Sequence, residues 1–333
     1  MPTEAAVTAL LEPGRNRDAE AAARPARLGA AGPRVAVLIP CLNEEASVPH
    51  VIAAFRASLP DAAIYVYDNN SRDRTAEVAR AAGARVRVER LQGKGHVLRR
   101  MFADVEADVF VLVDGDDTYD AAAAPAMVRL LVEGRLDMVT AVRVDSGPGA
   151  FRRGHRLGNA LLSGMVRWVF GNRVSDVLSG YRAFSRRFVK SFPALAGGFE
   201  TETELTVHAL ELCMPIGELR TRYRGRAAGS TSKLRTWADG LRILRAILKL
   251  VKEERPMRFF AACCALLLGA GLGAGLPIVL DYLRTGLVPR LPTAVLATGL
   301  VLAAMLALAC GLILDSVAHG RKEMKRLAYL SKS

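Results

Sequence analysis

Two stretches near the C-terminal end constrain this chain more than anything else in it. Residues 259–280, FFAACCALLLGAGLGAGLPIVL, and 291–314, LPTAVLATGLVLAAMLALACGLIL, hold no charged side chain. As a helix, each is long enough to cross a hydrocarbon layer of about 30 Å. One such run could be the core helix of a large domain. Two in succession, joined by DYLRTGLVPR, predict a transmembrane hairpin over 257–316, with spans at about 259–280 and 293–314. Neither lies near the N-terminus, so neither reads as a signal peptide. Orientation follows the flanking bases. Lys249, Lys252, Arg255 and Arg258 precede the hairpin and Arg321, Lys322, Lys325 and Arg326 follow it, against only Arg284 and Arg290 in the linker. Both chain ends are therefore expected on the cytoplasmic side. Gly269, Gly271, Gly273 and Gly275 offer two overlapping GxxxG spacings, which permit close helix contact and a homo-oligomer.

Charge narrows the choice of partner. The chain has 46 Lys and Arg against 33 Asp and Glu, a net charge of +13, which points to something anionic. Nucleic acid is excluded: no recognition motif is present, and aromatics, at 6% of the chain, do not interleave with the bases. A bilayer surface and phosphorylated ligands remain. Within 233–256, the stretch KLRTWADGLRILRAILKLVK carries Leu234, Trp237, Leu241, Leu244, Leu248 and Val251 on one helical stripe and bases on the other. It is expected to be an amphipathic juxtamembrane helix lying in the interface. Residues 1–33, rich in Ala, Arg and Pro, are expected to form a disordered tail, and 317–333 a basic cytoplasmic tail. The cysteines 41, 213, 263, 264 and 310 form no CxxC pair and read as reduced packing residues.

Between these flanks, residues 34–232 alternate in period. Runs at 34–40, 63–69, 85–90, 108–114 and 137–143 read as strands, and 47–59, 73–82, 95–106 and 121–133 as helices. That order predicts an α/β domain with a mostly parallel sheet, in which ligands bind beyond the carboxyl ends of the strands. The unusual residues gather there: PCLNEE after the first strand, DNNSRD after the second, DGDD after the fourth and Arg143 after the fifth. Asp114 and Asp116 straddle Gly115 at the end of an apolar strand. In a basic chain such a concentration of acid needs a cation, and Mg²⁺ or Mn²⁺ takes one or two carboxylates and fills its shell with phosphate oxygens and water. A P-loop, a GxGxxG fingerprint and a His pair with zinc spacing are all missing from the sequence.

The succession VLIPCLNEEASV, YDNNSRDRT, GKG and VDGDDTY resembles the inverting family-2 glycosyltransferases of GT-A fold, in order and spacing over about 34–233. Within them the chain is most similar to dolichol-phosphate mannose synthase and the bacterial polyprenyl-phosphate glycosyltransferases, through RGRAAGSTSK at 224–233 and through the amphipathic helix and hairpin. The resemblance implies that Pro40, Leu42 and Glu44 bound the base and ribose of a GDP- or UDP-linked sugar, with Tyr67, Asp68 and Asn69 meeting the nucleoside from the second strand. Asn69 stands where these enzymes commonly carry a second acid. It further implies that Asp114 and Gly115 face ribose and diphosphate, with Lys94 of the GKG nearby. Asp116 then ligates the metal beside Asp114, and Arg143, Arg226 and Lys233 contact phosphate. Ser179, Gly180 and Arg182 fall in the acceptor-side region, and Glu202 and Glu204 take positioning roles. The implied acceptor is a polyprenyl phosphate and the implied location a bacterial inner membrane, with the catalytic domain cytoplasmic. Two alternatives stand: a hydroxyl acceptor, for which an acid near Glu200, Glu202 or Glu204 would serve as base, and a silent nucleotide-sugar-binding adaptor.

Overall fold

The computed structural model describes residues 32–145, 164, 174–194, 201–224, 252 and 255–331. The chain divides into two compact units, one of residues 1–239 with 325–333, the other of residues 240–324.

The first unit is built on one seven-stranded sheet: β1 (Val35–Cys41), β2 (Ala63–Asp68), β3 (Arg85–Val88), β4 (Val109–Leu112), β5 (Met138–Asp145), β6 (Arg182–Ser185) and β7 (Ile216–Tyr223). Their order is β3-β2-β1-β4-β6-β5-β7, and every neighbour is parallel except β6, which runs antiparallel to both β4 and β5. The expected alternation is therefore present through β5, with strand ends within a residue or two. β6 and β7 were not anticipated.

The helices cover both faces. On one lie α1 (Val48–Ser58), α2 (Thr75–Ala81) and α4 (Ala124–Glu133); on the other α3 (Lys94–Asp104), α5 (Arg186–Ser191) and α6 (Thr201–Glu211). Burial follows the helical period: Val48, Val51, Ile52 and Phe55 in α1, and Ala124, Met127, Val128 and Leu131 in α4. A sheet covered twice needs strands apolar on both sides, which is why β1 and β4 are buried almost throughout. In the second layer Phe102, Phe110, Phe184, Phe188 and Phe192 pack edge-on and stacked, with ring centroids 4.6–6.5 Å apart.

The second unit holds the two apolar helices, α7 (Pro256–Thr285) and α8, which begins at Leu291 and runs to Leu330. Both are long and apolar enough to cross a membrane. Only 11% and 17% of their most apolar windows are buried, which separates them from the core helices of a soluble domain. Of the two GxxxG spacings, one serves the hairpin. A Cβ on Gly271 would come within 3.0 Å of Val301 Cγ2 and 3.2 Å of the Ala297 carbonyl, and one on Gly275 within 3.4 Å of Ala297 Cβ, whereas Gly269 and Gly273 face nothing within 4 Å. The expected basic tail proves helical: α8 continues past 317, and its last turns belong to the first unit, where Lys325 pairs with Glu211 at 2.7 Å and the Tyr329 hydroxyl donates to Asp137 at 2.7 Å. The expected tail at 1–33 and amphipathic helix at 233–256 lie almost wholly outside the described residues.

Candidate active site

The loops after β1 and β2 are laced into one rim. The Ser71 hydroxyl accepts from the Asn43 N–H at 2.9 Å, the Thr75 hydroxyl from the Glu44 N–H at 2.8 Å, and Asp73 from the Glu45 N–H at 3.2 Å. Small hydroxyls and Asp are suited to such turns because they accept main-chain bonds locally. The Glu44 carboxylate lies 3.1 Å from the Ser47 hydroxyl oxygen. Pro40 and Leu42 stand half-buried at the head of this rim. Asp68 is buried at the end of β2; one of its oxygens takes the Ser71 N–H at 3.3 Å, and Oδ1 meets no donor.

Asn69 is a fastener. Its amide donates to the carbonyls of Glu89 at 3.0 Å and Leu91 at 2.7 Å, and its oxygen accepts from the Gly93 N–H at 2.7 Å. A carboxylate has no N–H to give. The amide therefore pins the loop that delivers Lys94 to the first turn of α3. Tyr67, in contrast, is fully buried and donates to Asp104 at 3.2 Å, and burial pushes its hydroxyl up to about 12. The strand's period of two turns Tyr67 into the layer beneath α3, away from the rim where the nucleoside was expected to meet it.

The Asp114–Gly115–Asp116 turn lies at the end of β4. A Cβ on Gly115 would stand 2.7 Å from the Cys41 sulfur, so only glycine lets the turn rest on the end of β1. Ser47 holds it by donating to the Gly115 carbonyl at 2.7 Å. Asp116 is buried and accepts from the Thr118 hydroxyl at 2.6 Å. Lys94 bridges Asp114 and Glu202, with Nζ 2.5 Å from an oxygen of each. Burial disfavours the ammonium, but the two carboxylates outweigh it and raise the Lys94 pKa. Behind Asp114 stands Gly180, where any Cβ would collide with the carboxylate, and its N–H donates to the Tyr119 hydroxyl at 2.8 Å.

The sequence did not reveal what surrounds the basic residues. Arg143 lies in a two-pronged pair with Asp176, both bonds 2.8 Å, with its guanidinium carbon 5.5 Å from the centre of the Tyr223 ring. Burial opposes the charge on both partners, yet each is held ionised by the other, Arg143 raised and Asp176 lowered. Arg182 is completely buried and donates to the carbonyls of Ser179 at 2.9 Å and Val177 at 2.6 Å and to the Thr206 hydroxyl at 2.8 Å. Burial lowers it to about 10. It braces the loop that carries Val177 and Ser179 from below and offers no surface to a ligand. Ser179 is likewise buried and donates to the Ala141 carbonyl at 2.6 Å. On α6, Glu202 is buried with one oxygen on Lys94 and the other, Oε2, without a donor among the described residues, while Glu204, two residues on, is half-buried. Arg226 and Lys233 lie outside the described residues.

Among the described residues no three His, Cys, Asp or Glu side chains are gathered for a metal. Two carboxylates flanking a glycine are nonetheless a fitting donor set for Mg²⁺ or Mn²⁺, because these ions take few protein oxygens and complete their shells with phosphate and water. Asp114 and Asp116 would hold the ion.

The sequence profile described as glycosyl transferase family 2 matches residues 36–192. Glycosyltransferase AglJ of Haloferax volcanii is 30% identical over 298 residues, covering 89% of this chain and 98% of the relative. The dolichyl-phosphate hexose transferase of the same organism is 31% identical over 221 residues, covering 66% of this chain and 95% of the relative. Among solved structures, glucosyl-3-phosphoglycerate synthase of Mycobacterium tuberculosis, in complex with Mn²⁺, UDP-glucose and phosphoglyceric acid, matches with a TM-score of 0.54 at 26% identity, covering 74% of this chain and 86% of that one.

Proposed function

Because the chain belongs to glycosyl transferase family 2 and is a glycosyltransferase of GT-A fold, we propose that it moves a hexose from a nucleotide sugar to the phosphate of a polyprenyl lipid. In this reading the catalytic unit works at the cytoplasmic face of a bacterial inner membrane. One observation carries it: an Asp-Gly-Asp turn at the carboxyl edge of the sheet and two membrane-length helices occur on the same chain. The relative named for dolichyl-phosphate hexose transfer supports the lipid acceptor, and the neighbour crystallised with Mn²⁺ and UDP-glucose supports a nucleotide-sugar donor and a divalent ion.

The step is one displacement. A phosphate oxygen of the lipid forms a bond to the anomeric carbon while the bond from that carbon to the donor's diphosphate oxygen breaks. The electron pair leaves with the nucleoside diphosphate, and the anomeric centre inverts. No side chain removes a proton, since a phosphate oxygen is already anionic at neutral pH. Asp114 and Asp116 would hold a divalent ion, which would supply charge neutralisation to the leaving group. Lys94 keeps Asp114 aimed and adds fixed positive charge at the same turn. Arg143, stiffened by Asp176, offers its charge to the donor diphosphate or the acceptor phosphate, and Arg226 and Lys233 are assigned the same task. Pro40, Leu42, Glu44 and Asp68 bound the nucleoside.

The test is transfer by the full chain in detergent, with polyprenyl phosphate, Mn²⁺ and labelled UDP- and GDP-hexoses. Label should enter the lipid phase from at least one donor. Transfer only to a hydroxyl acceptor, or donor binding without turnover, refutes the reading.

A further inference from the structure

The last turns of α8 are gripped by the first unit through residues that the reaction does not use. Asp137, just before β5, is a completely buried carboxylate with both oxygens met. Oδ1 takes the Ser185 hydroxyl at 2.6 Å and Arg187 Nε at 2.5 Å, and Oδ2 takes the Tyr329 hydroxyl at 2.7 Å. The Arg187 guanidinium carbon lies 5.3 Å from the centre of the Tyr329 ring, and that ring packs against the second core layer. Four residues earlier, on the same helical face, Lys325 meets the buried Glu211 at 2.7 Å. An exposed ion pair would hold little, but a hydroxyl and an ammonium one turn apart here meet two buried carboxylates. The grip sits away from the chemistry. Asp137 precedes β5 while Arg143 lies near its other end, and Glu211 closes α6 while Glu202 opens it. The chain leaves the first unit after Asp239 and re-enters it at Lys325, so the hairpin is an insertion in the catalytic unit.

We propose that Lys325 and Tyr329 make the end of α8 a second anchor of the catalytic unit, and that this anchor keeps the site presented to an acceptor held in the bilayer. The inference rests on the lipid-phosphate reading of the acceptor. A lipid fixed in a membrane reaches the site only while the catalytic unit is suitably turned. With one attachment in place of two the unit explores more orientations, and the effective concentration of lipid at the site falls. A dissolved nucleotide sugar is indifferent to that orientation. The anchor therefore serves the acceptor and leaves donor binding alone.

The test uses the full chain in proteoliposomes that contain polyprenyl phosphate, with Mn²⁺ and labelled UDP- and GDP-hexoses, beside the same chain in detergent with a short, water-soluble prenyl phosphate. Lys325→Glu and Tyr329→Phe should each speed amide hydrogen exchange over 325–330 roughly tenfold to hundredfold, the range for a lost bond to a charged group. Each should lower kcat/KM for the bilayer acceptor about tenfold or more, mainly through KM, since the first attachment remains and only part of the effective concentration is lost. Nucleotide affinity by calorimetry and transfer to the short phosphate should not change. Lys325→Glu combined with Glu211→Lys restores the pair with its signs exchanged and should recover bilayer transfer. Equal losses with both acceptors would make the contact a support of the fold and overturn the proposal. So would undiminished bilayer transfer once exchange shows the helix end released. Wild-type protein that transfers to neither phosphate defeats the acceptor reading itself, a separate failure. Exchange over 325–330 that stays as slow as in wild type in both variants overturns the anchor whichever acceptor is used.

Discussion

Gly180→Ala adds one methyl group at a place where the structure leaves no room for it. Gly180 does not have a left-handed backbone, so alanine meets no conformational penalty there and the whole effect is steric. The new Cβ would fall on the Asp114 carboxylate, which is tethered to Lys94 at 2.5 Å on its other side. Relief requires the carboxylate to retreat by about an ångström, or the Gly180 N–H to leave the Tyr119 hydroxyl. Overpacking of this kind costs about 1–3 kcal/mol, a drop of roughly 3–10 °C in melting temperature for a domain of this size. Activity should suffer more, since a displacement of about 1 Å at a site costs on the order of 10²-fold. The assay is a double-mutant cycle read by thermal melting in detergent, with kcat/KM for sugar transfer alongside. In an Asp114→Ala background the obstructing carboxylate is gone, and Gly180→Ala should then be nearly silent in stability. If it destabilises both backgrounds equally, the Gly180–Asp114 contact is not the cause and the reasoning fails.

Asp116→Asn retains an acceptor for Thr118 but loses the charge; Mn²⁺-dependent nucleotide binding and turnover should vanish while the melting temperature changes by a few degrees at most, and undiminished binding would reject Asp116 as the main metal ligand. Asn69→Asp would face the Glu89 and Leu91 carbonyls with an acceptor instead of a donor; about 2–5 kcal/mol of stability should be lost, with weaker nucleotide binding through Lys94, and a neutral outcome in both measurements would contradict the fastening role. His208 is buried neutral, its pKa lowered to about 3, first by burial and then by Lys325. The unfolded chain binds the extra proton first, so stability should fall as pH drops below the ordinary His value near 6.5, at up to about 1.4 kcal/mol per pH unit. Melting curves for wild type and His208→Gln should converge at low pH, and parallel curves would exclude this histidine as the source.

The part of the fold written in local pattern was legible. β1, β2, β4 and β5 are largely apolar runs with turn residues at their carboxyl ends, β3 alternates Arg and Val, and α1, α3 and α4 show the helical period. β7 was not, because it is an edge strand: Glu218, Arg220 and Arg222 break any apolar run, and its pairing with β5 defines it. β6 has four residues, one of them arginine, and owes its state to neighbours distant in sequence. The site divides in the same way. Residue types marked the Asp-Gly-Asp turn, but only the fold shows that Lys94 joins Asp114 to Glu202, or that Asp176 holds Arg143. Arg182 is the instructive case, since an arginine is ordinarily read as surface or ligand contact, and here it is the most voluminous fully buried side chain among the described residues.

The reversed strand also bears on how the protein is made. Among the described strands β5 pairs with β6 and β7, and both come later in the chain. During synthesis, therefore, β5 emerges with both edges open and packs chiefly against α4 until Arg182–Ser185 arrives to bridge it to β4. A fragment that stops before β6 would leave β5 outside the sheet and expose two strand edges to other chains. The first five strands look like a self-sufficient nucleotide-binding half, but a truncation drawn after β5 should aggregate, and the shortest expressible catalytic piece must run through β7.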